Sequence, residues 1–317
     1  LAFLSTGGFD QTGGLTTATR VATTAPLLKL TYPNRFKVDE PNTFYHHEEA
    51  MNAIRAAQDE RTARLISEQG LPQIAAGLQR LEEARATEGA LEALKEKLGS
   101  NLLPSVGSND SVLLPAARTA LAAMSAGICV SANLSLRGFD THSNHDTLVS
   151  NLGGQRLPLQ SLFVTIDYIW DRAAALGLAD KIVMVVGSDF GRTRYNNPNV
   201  QQGDGAGAAG KDHWPITSAM LIGSDIPPGV IGLTEVQEGL SGVVAKNVMP
   251  VGNDVVTTDD PAAFGGPSLL RPVHLHHALR CLAGIKDHPI ATRYPVHRPG
   301  DLALPLLPDA PGWESFT

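Results

Sequence analysis

The stretch KIVMVVGSD, from Lys181 to Asp189, decides how the chain is read. Ile182 to Val186 are apolar without a break, and four of the five are β-branched. A run without polar alternation marks a strand covered on both faces, the usual condition of a parallel sheet. Upstream, LQSLFVTIDYIWDRAAALGL (Leu159 to Leu178) carries apolar residues at helical spacing and is closed by Gly177. Before it, GICVSANLSL (Gly127 to Leu136) reads as another strand ending at Arg137-Gly138. Strand, helix and strand in that order predict a right-handed βαβ crossover in one parallel sheet. Downstream, ITSAMLIG (Ile216 to Gly223) is a further strand and PVHLHHALRCLAG (Pro272 to Gly284) a late helix.

The N-terminal part has a different character. LAFLS (Leu1 to Ser5) is a short strand candidate that runs into a Gly- and Thr-rich segment. Residues 42–100 form a helical segment, with Pro72 at the start of a new helix after Gly70. A third helix, from about Leu113 to Ala126, is apolar nearly all round and therefore buried. The expectation is an α/β fold, residues 1–317 making one domain.

Composition narrows the function. The net charge of -7 lacks the basic face that nucleic-acid binding needs. No apolar run is long enough for a membrane-spanning helix. Cys129 and Cys281 stand alone on apolar segments, which favours buried free thiols over a disulfide. Neither belongs to a CxxC pair, so a cysteine zinc site is not expected.

Three polar clusters fall at or near strand ends, where ligands collect in open parallel sheets. The first is GFDTH, Gly138 to His142: Asp140 and His142, two apart, can turn an oxygen and a nitrogen toward one point. Such mixed donors suit zinc or manganese; the competing reading is an Asx turn beside a surface histidine. The second is GSDFGRT, Gly187 to Thr193. Asp189 there calls for a compensating cation, and Arg192 suits forked contact with a phosphate or sulfate, unless the two simply pair with each other. The third is GKDHWP, Gly210 to Pro215, in which His213 completes a ligand set and Lys211 meets an anion; alternatively, Trp214 is core and the charges are solvated. The glycine-rich loop before it has no nucleotide-binding pattern, so no nucleotide cofactor is expected. His274, His276 and His277 sit on the late helix with no acidic neighbour and read as structural or solvent-facing. His46 and His47 read as capping and surface residues.

In this order, GFDTH, VVGSDFGRT and GKDHWP resemble the DUF1501 family, which is allied to alkaline phosphatases and sulfatases. The resemblance implies an alkaline-phosphatase-like three-layer sandwich with a mostly parallel central sheet. It implies one or two divalent metals on Asp140, His142, Asp189 and His213, for which the donor types favour zinc or manganese, and Arg192 and Lys211 are the candidate catalytic residues. It also implies an exported protein, periplasmic or secreted. Phe190 stands where the superfamily places a further histidine ligand, and no nucleophile follows Asp10 on a helix start. These departures lead to the expectation that an N-terminal portion is missing, with Asp10 apart from His213 and an unfilled edge on the sheet. The function implied is hydrolysis or transfer of a phosphate or sulfate ester, the partner being an anionic small molecule or glycan ester. The alternative is a non-catalytic, metal-containing protein that binds an anionic glycan or a cell-surface partner.

Overall fold

A computed structural model describes residues 3–5, 19–20, 34–37, 42–86, 88–99, 101–103, 113–145, 154–194, 210–240, 242–251, 254–258, 269–296, 304 and 306–307. The chain divides into two compact units, one of residues 1–137 and 157–178, the other of residues 138–156 and 179–317. Among the described residues, no helix is long and apolar enough to cross a membrane.

The first unit is mainly helical. Helix α1 spans Glu48–Glu68, α2 Pro72–Ala86, α3 Glu88–Gly99, α4 Leu114–Ser125 and α5 Arg156–Ala175, the last from its second residue on. Helix α2 begins at Pro72, whose missing N–H costs nothing in a first turn. Helix α4 is buried on nearly every side, from Ala117 through Ala123, as its apolar circumference requires. Its one charged member, Arg118, is buried because it has work to do there: Nε donates to Leu103 O at 3.0 Å, and Nη2 donates to Leu98 O. The second bond satisfies an orphan carbonyl in the last turn of α3. Helix α5 ends with Leu178 N donating to Ala173 O and Gly177 N to Ala174 O, a Schellman pair around Gly177.

This unit also holds the only parallel pairing among the described strands. Strands β1 (Phe3–Ser5), β2 (Thr19–Arg20) and β3 (Ser131–Asn133) form a sheet in the order β2-β1-β3. Leu4 and Ser5 are fully buried in it. The N-terminal strand candidate is therefore the middle strand of its sheet, while Asp10 lies outside the described residues.

The second unit is built from strand pairs. They are β4 (Met184–Val186) with β7 (Met220–Ile222), β5 (Gly191–Arg192) with β6 (His213–Trp214), β8 (Thr234–Val236) with β9 (Val243–Ala245), and β10 (Asn247–Val251) with β11 (Asp254–Thr258). All four pairs are antiparallel. Helices α6 (Pro272–Leu282) and α7 (Pro289–Arg293) follow. The core gathers Val248, Ala278, Cys281, Leu304, Leu306 and Leu307.

The expected three-layer sandwich with a mostly parallel central sheet is overturned. β3 pairs in parallel with β1, whereas β4 pairs antiparallel with β7, so α5 does not link neighbours of one sheet. A βαβ crossover requires both strands in the same sheet. The apolar run at 182–186 is also not covered on both faces, since Val183 and Val185 are exposed. Strands of two to five residues, mostly joined to one antiparallel neighbour, replace the large sheet.

Candidate metal centre

The site belongs to the second unit and is assembled by backbone before any side chain meets. β5 and β6 pair Gly191 with Trp214 and Arg192 with His213. Thr193 N donates to Asp212 O at 3.0 Å, and Asp212 N donates to Thr193 Oγ1 at 3.1 Å, extending the ladder outward. Lys211 N then donates to Thr141 O at 3.1 Å, which ties the GFDTH loop to the same edge. The three clusters are thus one structure.

Two glycines make the approach possible. A Cβ on Gly210 would stand 1.6 Å from His142 O, and one on Gly191 would stand 1.9 Å from Ile216 O. Both contacts are with backbone, which cannot swing away, so only glycine fits at either place. The GFDTH loop is held from its other side as well. Gln155 Nε2 donates to Phe139 O and to Thr141 Oγ1, each at 3.2 Å, and Thr141 Oγ1 lies 2.6 Å from His145 Nδ1.

On this frame Asp140, His142 and His213 present one carboxylate oxygen and two ring nitrogens within 4.8 Å of one another. His142 Nδ1 is 2.7 Å from Asp140 Oδ1, and His213 Nε2 is 3.8 Å from the same oxygen. All three residues are exposed, so the cluster opens to solvent on one side. Tetrahedral ligation at zinc distances spaces donors by roughly 3.4 Å, so side-chain movements of roughly 1 Å would close the set. Two imidazoles and a carboxylate with an open position match the donor chemistry of a catalytic zinc or manganese site.

Arg192 locks the arrangement. Its side chain is 11% exposed. Nη2 donates to Asp140 Oδ1 at 2.8 Å and to Phe139 O at 2.9 Å, while Nη1 donates to Lys211 O at 2.9 Å. One guanidinium therefore clamps the GFDTH and GKDHW segments together. The Arg192 hydrogen bond holds the Asp140 carboxyl below the usual carboxylate range, with the charges of His142 and Arg192 adding to it. Asp140 is therefore ionised at neutral pH, the form a metal ligand must take.

A model of one protein family matches residues 16–261; its description is a protein of unknown function, DUF1501. The chain belongs to the DUF1501 family. No curated protein and no solved structure matches it. The DUF1501 match includes all three site segments, which are also the segments that pack into one centre.

Of the residues singled out in this DUF1501 chain, Asp140, His142 and His213 come together, and Arg192 and Lys211 border them. Asp189 is exposed and stands outside the cluster. Phe190 and Arg192 lie together, with the guanidinium carbon 5.3 Å from the ring centre. Arg192 pairs with Asp140 and not with its near neighbour Asp189. His274 and His277 are buried on α6, His276 is exposed, and none of them joins the cluster. His46 and His47 are exposed, and His47 stands at the N-cap of α1 without a side-chain cap bond.

Sequence reading passed over Gln155 and His145. Phe190 was marked there as an aromatic residue where a ligand was expected, and its ring stacks on His213 with centres 3.9 Å apart.

Proposed function

We propose that this protein is a metal-dependent hydrolase or transferase acting on a phosphate or sulfate ester. The observation that carries the proposal is the convergence of Asp140, His142 and His213, from two separate segments, on one solvent-open point. Kinship with the alkaline phosphatase and sulfatase-like superfamily rests on this donor set, since the described strands do not make that superfamily's sheet. A zinc or manganese ion held there would supply Lewis-acid polarisation of the ester and of an attacking oxygen. Asp140, His142 and His213 would hold it. Arg192 keeps Asp140 ionised and aimed. Lys211 lies two residues before His213, its backbone bonded to Thr141 and Arg192, and its ammonium would meet the anionic oxygens of the ester.

The test is metal analysis of purified protein with assays on an aryl phosphate and an aryl sulfate. One ion per chain and turnover that chelation abolishes and zinc or manganese restores are expected. Asp140→Ala, His142→Ala and His213→Ala should each lose both. Full metal content in all three variants would overturn the assignment.

One observation favours a second reading, a non-catalytic protein that keeps the ion and binds an anionic glycan or cell-surface partner. The hydrogen bonds of Arg192 all go to protein acceptors, leaving fewer cationic donors for a transition state. A tightly held ion without turnover of either ester would select this reading.

A further inference from the structure

We infer that Phe190 is the positioning residue that aims His213 at the metal, and this rests on the metal reading above. A coordinating imidazole offers its lone pair in the plane of the ring, so the tilt of the ring decides whether the nitrogen faces the ion. In most metal sites the far ring nitrogen donates to a carboxylate or carbonyl, which fixes that tilt. His213 has no such bond among the described residues. Its side chain is 53% exposed, and its nearest polar partner is Asp140 Oδ1 at 3.8 Å, on the ligand side. Terminal torsions of histidine are broad, so an exposed ring without an anchor rotates freely.

Phe190 removes that freedom. The two rings stack with centres 3.9 Å apart and an angle of 28° between planes. His142 bounds the same ring with centres 4.8 Å apart and planes tilted by 53°. Phe190 is itself held in place: Ser188 Oγ donates to its carbonyl at 2.9 Å and lies 2.8 Å from Thr217 Oγ1, and Arg192 lies against its ring. The aromatic residue is therefore a platform on a braced turn, and the stack does for His213 what a hydrogen bond does elsewhere.

The experiment compares wild type with Phe190→Leu, Phe190→Tyr and Phe190→Met. Zinc affinity is read by competition with a chromophoric chelator, and the cobalt-substituted protein by its visible absorption. Phe190→Leu and Phe190→Met should bind zinc at least about tenfold more weakly and shift the cobalt bands, as loss of a ligand-orienting partner does. Phe190→Tyr keeps the ring face and should restore both. In the metal-free protein, the His213 ring protons should show an upfield ring-current shift that Phe190→Leu abolishes. Wild-type affinity and spectrum in folded Phe190→Leu and Phe190→Met would overturn the inference. A wild-type protein that binds neither zinc nor cobalt would instead remove the metal reading on which it stands, even with the ring-current shift intact.

Discussion

Arg192 Nη2 donates to Asp140 Oδ1 over 2.8 Å, joining residues 52 positions apart in the chain. The same nitrogen holds Phe139 O, so the guanidinium fixes both the carboxylate and the backbone that carries it. An arginine suits this task because its planar fork serves several acceptors at once. The pairing makes Arg192 a clamp between the GFDTH and GKDHW segments.

Asp140 is held below the usual carboxylate range, mainly by its bond to Arg192. A depressed folded value contributes stability above the ordinary carboxylate value, about 3.9, and that contribution is lost as pH falls through the depressed value. The Asp140–Arg192 bond should therefore be intact at neutral pH and be lost only in acid below the ordinary carboxylate range, while the backbone bonds of the loop remain. Carboxyl-carbon NMR titration of metal-free protein should show Asp140 titrating below the ordinary carboxylate range. Arg192→Ala should move it upward, and an unmoved titration would show that Arg192 is not the cause.

Gly210 gives the sharpest steric test. A Cβ there would meet His142 O at 1.6 Å, so Gly210→Ala must push the GFDTH loop away from the GKDHW segment. Loss of metal binding and a lower midpoint of unfolding for this unit are expected. Gly77→Ala serves as the control, since nothing lies within 4 Å of that position in α2. It should leave metal binding alone and stabilise α2 by up to about 1 kcal/mol. Equal behaviour of the two variants would mean that the close approach does not matter.

How much of this was legible in the sequence differs between fold and site. Helix limits were written locally: Pro72 opens α2, Gly177 lies in the turn that closes α5, and the apolar circumference of α4 foretold its burial. Strand partners were not. The run at 182–186 says that a strand forms there, but residue type carries no information about which strand it meets or in which direction. β4 took an antiparallel neighbour, β7, and the expected crossover vanished. The convergence of Asp140, His142 and His213 was legible because Asp140 and His142 are two apart and Gly210 and Gly191 permit close backbone contact. Asp189 lies outside the cluster while Phe190 stacks on His213, a distinction that spacing within a short polar loop does not reveal.

His274 and His277 illustrate burial without ligation. Both are buried on α6, with His274 Nδ1 accepting from Arg271 N at 2.9 Å and His277 Nε2 lying 3.5 Å from Cys281 Sγ. Burial raises the Cys281 thiol above its ordinary range, so it stays protonated and poorly nucleophilic at neutral pH. Joint replacement of His274 and His277 by Gln should leave metal stoichiometry unchanged yet destabilise this unit by on the order of 2 kcal/mol. Thiol labelling at pH 8 should be slow in wild type and faster in the double variant. Metal loss in a folded double variant would move the centre to α6.

Lys211 stands beside the cluster by its backbone, and it should carry the anion contact that Arg192 is too occupied to make. The Arg192 donors are bonded to Lys211 O, Phe139 O and Asp140, and releasing them would loosen the clamp between the GFDTH and GKDHW segments. Lys211 donates its backbone N–H to Thr141 O, which fixes its Cα beside the cluster while its side chain remains only half-buried. An ammonium on a flexible stem acts as a mobile point charge, able to follow an anion without disturbing the frame. Lys211→Met should therefore weaken binding of phosphate, sulfate or vanadate by roughly tenfold or more, as loss of a charge-assisted bond does, with metal content unchanged. Arg192→Lys should do the reverse, lowering metal affinity while the metal-loaded fraction keeps its affinity for the anion. Calorimetric titration of the metal-loaded variants separates the two roles. Full anion affinity in Lys211→Met, with loss of it in Arg192→Lys, would show that the guanidinium leaves Asp140 when substrate arrives.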